Sequence, residues 1–144
     1  MKKERFFTMD KKYSSIVTEW LKKAESDFRY AKQSFESFDD FYAQICILCH
    51  DSAEKYLKAY MLYHGIQPEK IHDLVTLYKR CVDIDKADSG IAALEEKSRV
   101  LNRYYVPLKY PSHYPEVDIE KAKQAIEAAD EIRKTIRSRI DKGC

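Results

Sequence analysis

The chain has 144 residues, 44% hydrophobic and 35% charged, with a net charge of +2. That length holds one domain with a real core, and three glycines and four prolines are too few for the many turns of an all-β protein. The near-neutral charge gives no support to a dedicated nucleic-acid binder, and no apolar run nears the roughly 18 residues of a membrane span.

The N-terminal MKKERFF is basic, but no apolar stretch follows it, so the chain reads as cytoplasmic without a signal peptide. Residues 1–13 are expected to form a flexible tail ahead of a single domain over 14–144. The first helix is expected from about Ser15 to Phe35, with Trp20, Ala24, Phe28, Ala31 and Phe35 on one apolar stripe. SFDD breaks it, and Asp39 or Asp40 suits the cap of the next helix.

The second helix is expected from about Phe41 to His64, ending at Gly65. Its main stripe is Ile45, Cys49, Ala53, Tyr56, Tyr60 and Tyr63. Ile47, Met61 and Leu62 interrupt a polar face carrying Asp51, Glu54, Lys55 and Lys58. A helix apolar on two faces is central or touches a partner chain, and a homodimer through this second face is the expectation.

Pro68 fits the first turn of a third helix running to Val82. DIDKADSG is a polar connection with Asp88 and Ser89 as cap candidates, and a fourth helix spans about Gly90 to Tyr105. RYYVPLKYPSHYP follows, with four tyrosines and three of the four prolines. Asp118 caps a fifth helix, in which Ile119, Ala122, Ile126, Ala129, Ile136 and Ile140 keep helical spacing over about 22 residues, or roughly 33 Å. The fold expected is all-α: an antiparallel four-to-five-helix up-down bundle, with the short third helix across one end.

Cys46 and Cys49 form a C-x-x-C pair, but inside the apolar helical run FYAQICILCH. Without a second pair or flanking glycines, buried free thiols are expected and no metal is.

Three segments, CHDSAEKYLKAYMLYHG (Cys49–Gly65), IHDLVTLYKRC (Ile71–Cys81) and LNRYYVPLKYP (Leu101–Pro111), together resemble the HEPN domain family. The Ala-Glu-Lys-x-x-Lys-Ala core falls on Ala53, Glu54, Lys55, Lys58 and Ala59, and His-Asp-Leu on His72, Asp73 and Leu74. The family's aromatic-then-Arg-Tyr-Pro ending falls on Tyr104-Tyr105 and Lys109-Tyr110-Pro111, with lysine in place of arginine.

The resemblance implies a helical bundle that dimerises and binds nucleotides or protein partners. One such partner is a separate small MNT nucleotidyltransferase. It also implies an alternative, since some HEPN proteins are metal-independent RNase toxins of toxin–antitoxin or defence systems. Those members carry an arginine followed after four to six residues by a histidine. Histidine would move the proton of a ribose 2′-hydroxyl and arginine would stabilise the phosphorane. That spacing is absent: Arg103 and His113 are separated by nine residues. The reading therefore leans away from an enzyme. A purely structural helical protein is the third alternative.

The candidate ligand residues are Arg99 and Arg103, which share a helical face, with Lys109 and His113 beyond them. Tyr104, Tyr105 and Tyr110 offer faces for a base, and the cations offer charge-assisted donors to phosphate. The bland reading has these tyrosines packing the bundle end. Lys55 and Lys58 are candidates for a phosphate or a dimer interface, although Glu54 with Lys58 also reads as an ordinary surface pair. His72 is a candidate anion donor or a turn-fixing residue, and His50 reads as a partly buried edge residue. No cofactor is expected beyond a nucleotide ligand.

Overall fold

Each apolar stripe becomes a helix whose stripe faces inward. The computed structural model describes residues 11–105 and 116–141. The helices are α1 (Lys11–Ser37), α2 (Tyr42–Tyr63), α3 (Leu74–Ile84), the single turn α4 (Ser89–Ala92), α5 (Glu95–Asn102) and α6 (Ile119–Asp141). No strand occurs among the described residues. Nor is any helix there long and apolar enough to cross a membrane. The architecture is an antiparallel all-α bundle. Residues 1–10, 106–115 and 142–144 lie outside the description, and with them Lys109, Tyr110, His113 and most of the expected tail. The tail's last residues belong to α1, which already begins at Lys11.

α2 is the central element, packed by α1, α6, α3 and α5. Close approach to α1 rests on small residues: Ala24, Ala31 and Ala53 are all fully buried. Across this seam the Ser52 hydroxyl donates to the Ala24 carbonyl at 2.8 Å. Met61 and Leu62 are buried within this one chain, with only Ile47 of the second apolar face part-exposed. Met61 and Leu62 are thus covered inside the chain, and of this face only Ile47 keeps surface that a partner could meet. On α6 the expected stripe is buried or packed against the core except for Ile119, which is exposed.

Helix ends show where local chemistry decides. Asp88 accepts from the N–H groups of Gly90 and Ile91, and Asp118 from that of Lys121, so both caps form as expected. Asp40 instead accepts from Phe41 N–H, and α2 starts without a side-chain cap from Phe41, a non-glycine residue in the left-handed region at φ 69°.

The third helix begins at Leu74, not Pro68. Asp73 caps it by accepting from Thr76 N–H at 2.8 Å, and residues 66–73 run outside any helix. A proline at a first turn is permissive, whereas an aspartate cap satisfies an orphan donor. The expected fourth helix is broken into α4 and α5 at Ala93 and Leu94, where the Leu94 N–H closes a tight i−3 bond to Ile91. It also stops at Asn102 rather than Tyr105.

Two charged ties lock the bundle. Arg133 of α6 grips Glu25 of α1 through Nε at 2.7 Å and Nη2 at 3.0 Å, while its Nη1 reaches Asp130 at 3.1 Å. The same guanidinium lies 5.0 Å from the Phe28 ring centre. Arg139 grips Asp88 the same way, at 2.6 and 2.8 Å, tying α6 to the start of α4. Planar two-point contacts of this kind fix orientation as well as distance.

Candidate functional site

Three parts of the chain meet around Glu54. α2 supplies His50, Asp51, Glu54 and Lys58, the segment after α2 supplies His72, and the end of α5 supplies Tyr105. Spacings of four put His50, Glu54 and Lys58 on one face of α2. His72 is carried there because residues 66–73 stay out of helix until Asp73 caps α3.

Asn102 clamps this arrangement. Its Oδ1 accepts from Leu74 N–H at 2.8 Å and its Nδ2 donates to Asp73 at 2.7 Å, joining the start of α3 to the end of α5. The bonds from Thr76 and Asn102 hold the Asp73 carboxyl below the ordinary aspartate range.

Lys58 donates to Glu54 Oε2 at 2.9 Å, and both side chains are largely buried, so this is not the surface pair its spacing allows. His72 Nδ1 lies 3.0 Å from each Glu54 oxygen and its ring is half-exposed. His50 is 1% exposed, a fully buried residue rather than an edge one. Its Nε2 lies 3.0 Å from the His72 carbonyl oxygen and its Nδ1 3.1 Å from Asp51 Oδ1. Tyr105, 42% exposed, lies over both imidazoles, 5.2 Å and 20° from His72 and 5.7 Å and 30° from His50. One ligand atom each from His50, Asp51 and Glu54 falls within 4.8 Å of the others, the spacing of a potential metal set.

A hollow of about 460 Å³ opens elsewhere, between α1 and the end of α6, lined by Leu21, Lys22, Glu25, Arg29, Tyr63 and Arg137 among others. No residue of the Glu54 cluster lines it. Its Arg137 faces Glu25 and Asp141, and Glu25 is locked by Arg133, which makes this wall a structural tie.

A family model, the HEPN domain, matches residues 17–139. The chain belongs to the HEPN domain family. Two solved structures share this HEPN fold. TT1696 from Thermus thermophilus is 27% identical with a TM-score of 0.68, over 85% of this chain and 97% of that one. ST0689, an archaeal HEPN homologue, is 22% identical with a TM-score of 0.66, over 86% of this chain and 97% of that one. No functionally curated protein matches the chain.

The HEPN bundle brings together only part of the expected ligand set. Lys58, His72 and Tyr105 converge. Lys55 does not: it pairs with Asp27 of α1 at 2.6 Å. Arg99 pairs with Glu95 on the exposed face of α5. Tyr104 offers no face to a base because it is buried at 2% exposure. Burial pushes its phenol up to about 12, with Cys46 adding to the effect and Arg103 beside it opposing. Arg103 itself is exposed.

Sequence reasoning underrated His50 and missed Asp51 and Asn102 as members of the cluster. The available signal was His50 four residues before Glu54, the spacing that places two side chains on one helical face. Cys46, Cys49 and Cys81 are free and buried, and burial pushes Cys46 up to about 11 and Cys81 to about 12. None is a thiolate near neutral pH.

Proposed function

We propose that this HEPN chain is a nucleotide-binding interaction module whose ligand seat is the Tyr105–His72 stack above Glu54 and Lys58. The observation that carries this is the exposed Tyr105 ring, stacked on a half-exposed histidine at the mouth of the cluster. A base extends such a stack without sequence preference. His72, half-exposed beside the ring, is the donor at hand for a phosphate.

The proposal includes a homodimer and, from the family, a separate MNT nucleotidyltransferase as partner. With Met61 and Leu62 buried, the apolar surface left for a second copy is best supplied by Phe38 and Phe41. Their exposed rings pair edge to face at 5.5 Å at the α1–α2 corner.

Calorimetric titration with ATP, GTP and a short RNA tests the ligand. Tyr105→Ala is expected to weaken binding by about 5- to 150-fold, the worth of one stacked base. No binding by the wild type at millimolar ligand ends the reading.

One observation favours a second reading, RNA cleavage: two histidines, each beside a carboxylate, lie under the same tyrosine. A histidine oriented by a carboxylate is what proton transfer from a 2′-hydroxyl needs. Cleavage of RNA in EDTA, lost in His72→Ala, would select this reading over simple binding.

A further inference from the structure

The hollow between α1 and the end of α6 is lined by cations that the bundle leaves without a counter-charge. Its volume of about 460 Å³ falls in the range of small-molecule pockets. The α1 wall carries Lys22, Ser26 and Arg29, spaced four and three residues apart and so neighbours on one helical face. Lys22 and Arg29 are exposed, and neither has an ion pair or hydrogen bond among the described residues.

The reason lies in how packing sorts the charges of α1. Glu25 lies three residues after Lys22 and four before Arg29, so in an isolated helix it could serve either. In the bundle it serves neither. Arg133 of α6 holds both Glu25 oxygens, and the Tyr56 hydroxyl donates there too. Asp27, the other acid in this stretch, goes to Lys55 of α2 at 2.6 Å. Arg137, on the α6 side of the hollow, adds a third cation. Glu25 and Asp141 stand 3.8 and 3.7 Å from it, beyond hydrogen-bond length.

The buried part of the lining is apolar: Val17 and Ile140 are nearly closed to solvent and Leu21 is part-buried. A cationic rim over an apolar floor suits an anion with an apolar body. Phosphate fits this rim better than carboxylate. Its three free oxygens match three neighbouring donors: the Lys22 ammonium, the Ser26 hydroxyl and the Arg29 guanidinium.

We propose that this hollow binds a small organic phosphomonoester, its phosphate over Ser26 between Lys22 and Arg29 and its apolar body against Val17, Leu21 and Ile140. The inference does not rest on the nucleotide reading, because no residue of the Glu54 cluster lines the hollow.

The test is calorimetric titration of the full-length protein with phenyl phosphate and, separately, inorganic phosphate. Phenyl phosphate is expected to bind the more tightly, since only it reaches the apolar floor. Lys22→Gln and Arg29→Gln change exposed side chains and are each expected to weaken it about 10-fold, the low end for a charged hydrogen bond. Lys23→Gln removes the same charge from a neighbour outside the hollow and is expected to change nothing. No binding of phenyl phosphate by the wild type at millimolar concentration overturns the inference. So does an equal loss in Lys23→Gln, which would mark bulk charge, and so does equal affinity for inorganic phosphate, which would remove the apolar body. A loss that appears in Tyr105→Ala instead of Lys22→Gln and Arg29→Gln also overturns it, and would move the ligand to the Tyr105 seat. The two readings therefore fail separately.

Discussion

Glu25 and Glu54 are both carboxylates held between elements of the bundle, each with a cation and a tyrosine nearby. Around Glu25 donors and acceptors match. Arg133 takes both oxygens, and the Tyr56 hydroxyl donates as well. Around Glu54 Lys58 and His72 also reach the carboxylate, but the tyrosine only stacks over imidazoles, with part of its ring exposed. A matched cluster ties helices together. A cluster capped by a part-exposed ring keeps a face that solvent reaches. The electrostatics agree: Arg133, its largest influence, holds the Glu25 carboxyl down at about 2.

The sharpest break in the comparison falls between adjacent residues at the end of α5. Tyr104 belongs to the core and Tyr105 to the Glu54 cluster. Tyr104→Ala is expected to cost about 3–5 kcal/mol, as for other large buried aromatics. Tyr105→Ala is expected to cost only about 1 kcal/mol, the worth of an exposed ring pair. Urea unfolding of the two variants measures the gap, and equal losses would place Tyr105 in the core too.

A smaller contrast compares the clusters directly. Arg133→Ala leaves Glu25 with an unmatched charge and is expected to destabilise the bundle by about 1–3 kcal/mol. His72→Ala removes a half-exposed ring and is expected to cost only about 1 kcal/mol, the worth of its ring pair with Tyr105. Reversal of this order would make the Glu54 cluster the structural one.

The smallest effect is a pH signature. Glu25 sits at about 2 in the folded chain against 4.5 ordinarily, so the unfolded chain binds its proton first as pH falls. Its contribution is therefore full above about pH 4.5 and is lost as pH falls toward 2. Asp73 and Asp88, also held low, act in the same direction. Glu25→Gln is expected to lower the melting temperature at neutral pH and to flatten, without abolishing, its fall across that acid window. Thermal melts at several acid pH values check this.

Some of the site was legible along the chain. His72 and Lys58 stood out as candidates from the family motifs, and both enter the cluster. Arg99 and Lys55 stood out equally and do not, because each finds an acid elsewhere: Glu95 on its own helix, Asp27 on the neighbouring one. Tyr104 and Tyr105 looked interchangeable, yet adjacent residues near a helix end point in different directions, and only packing assigns one to the core.

What the sequence by itself determined is the all-α class, the long first, second and last helices, and the caps at Asp88 and Asp118. These rest on interactions within a few residues, which spacing and side-chain chemistry express directly. The tertiary structure alone decided that Met61 and Leu62 are covered within one chain. It alone decided that His50, Glu54, His72 and Tyr105 meet. Periodicity marks a face as apolar but does not say what covers it. The contacts that answer join residues 18 to 55 positions apart, as in His72 with Glu54 and Tyr105 with His50, and no local pattern encodes such a meeting.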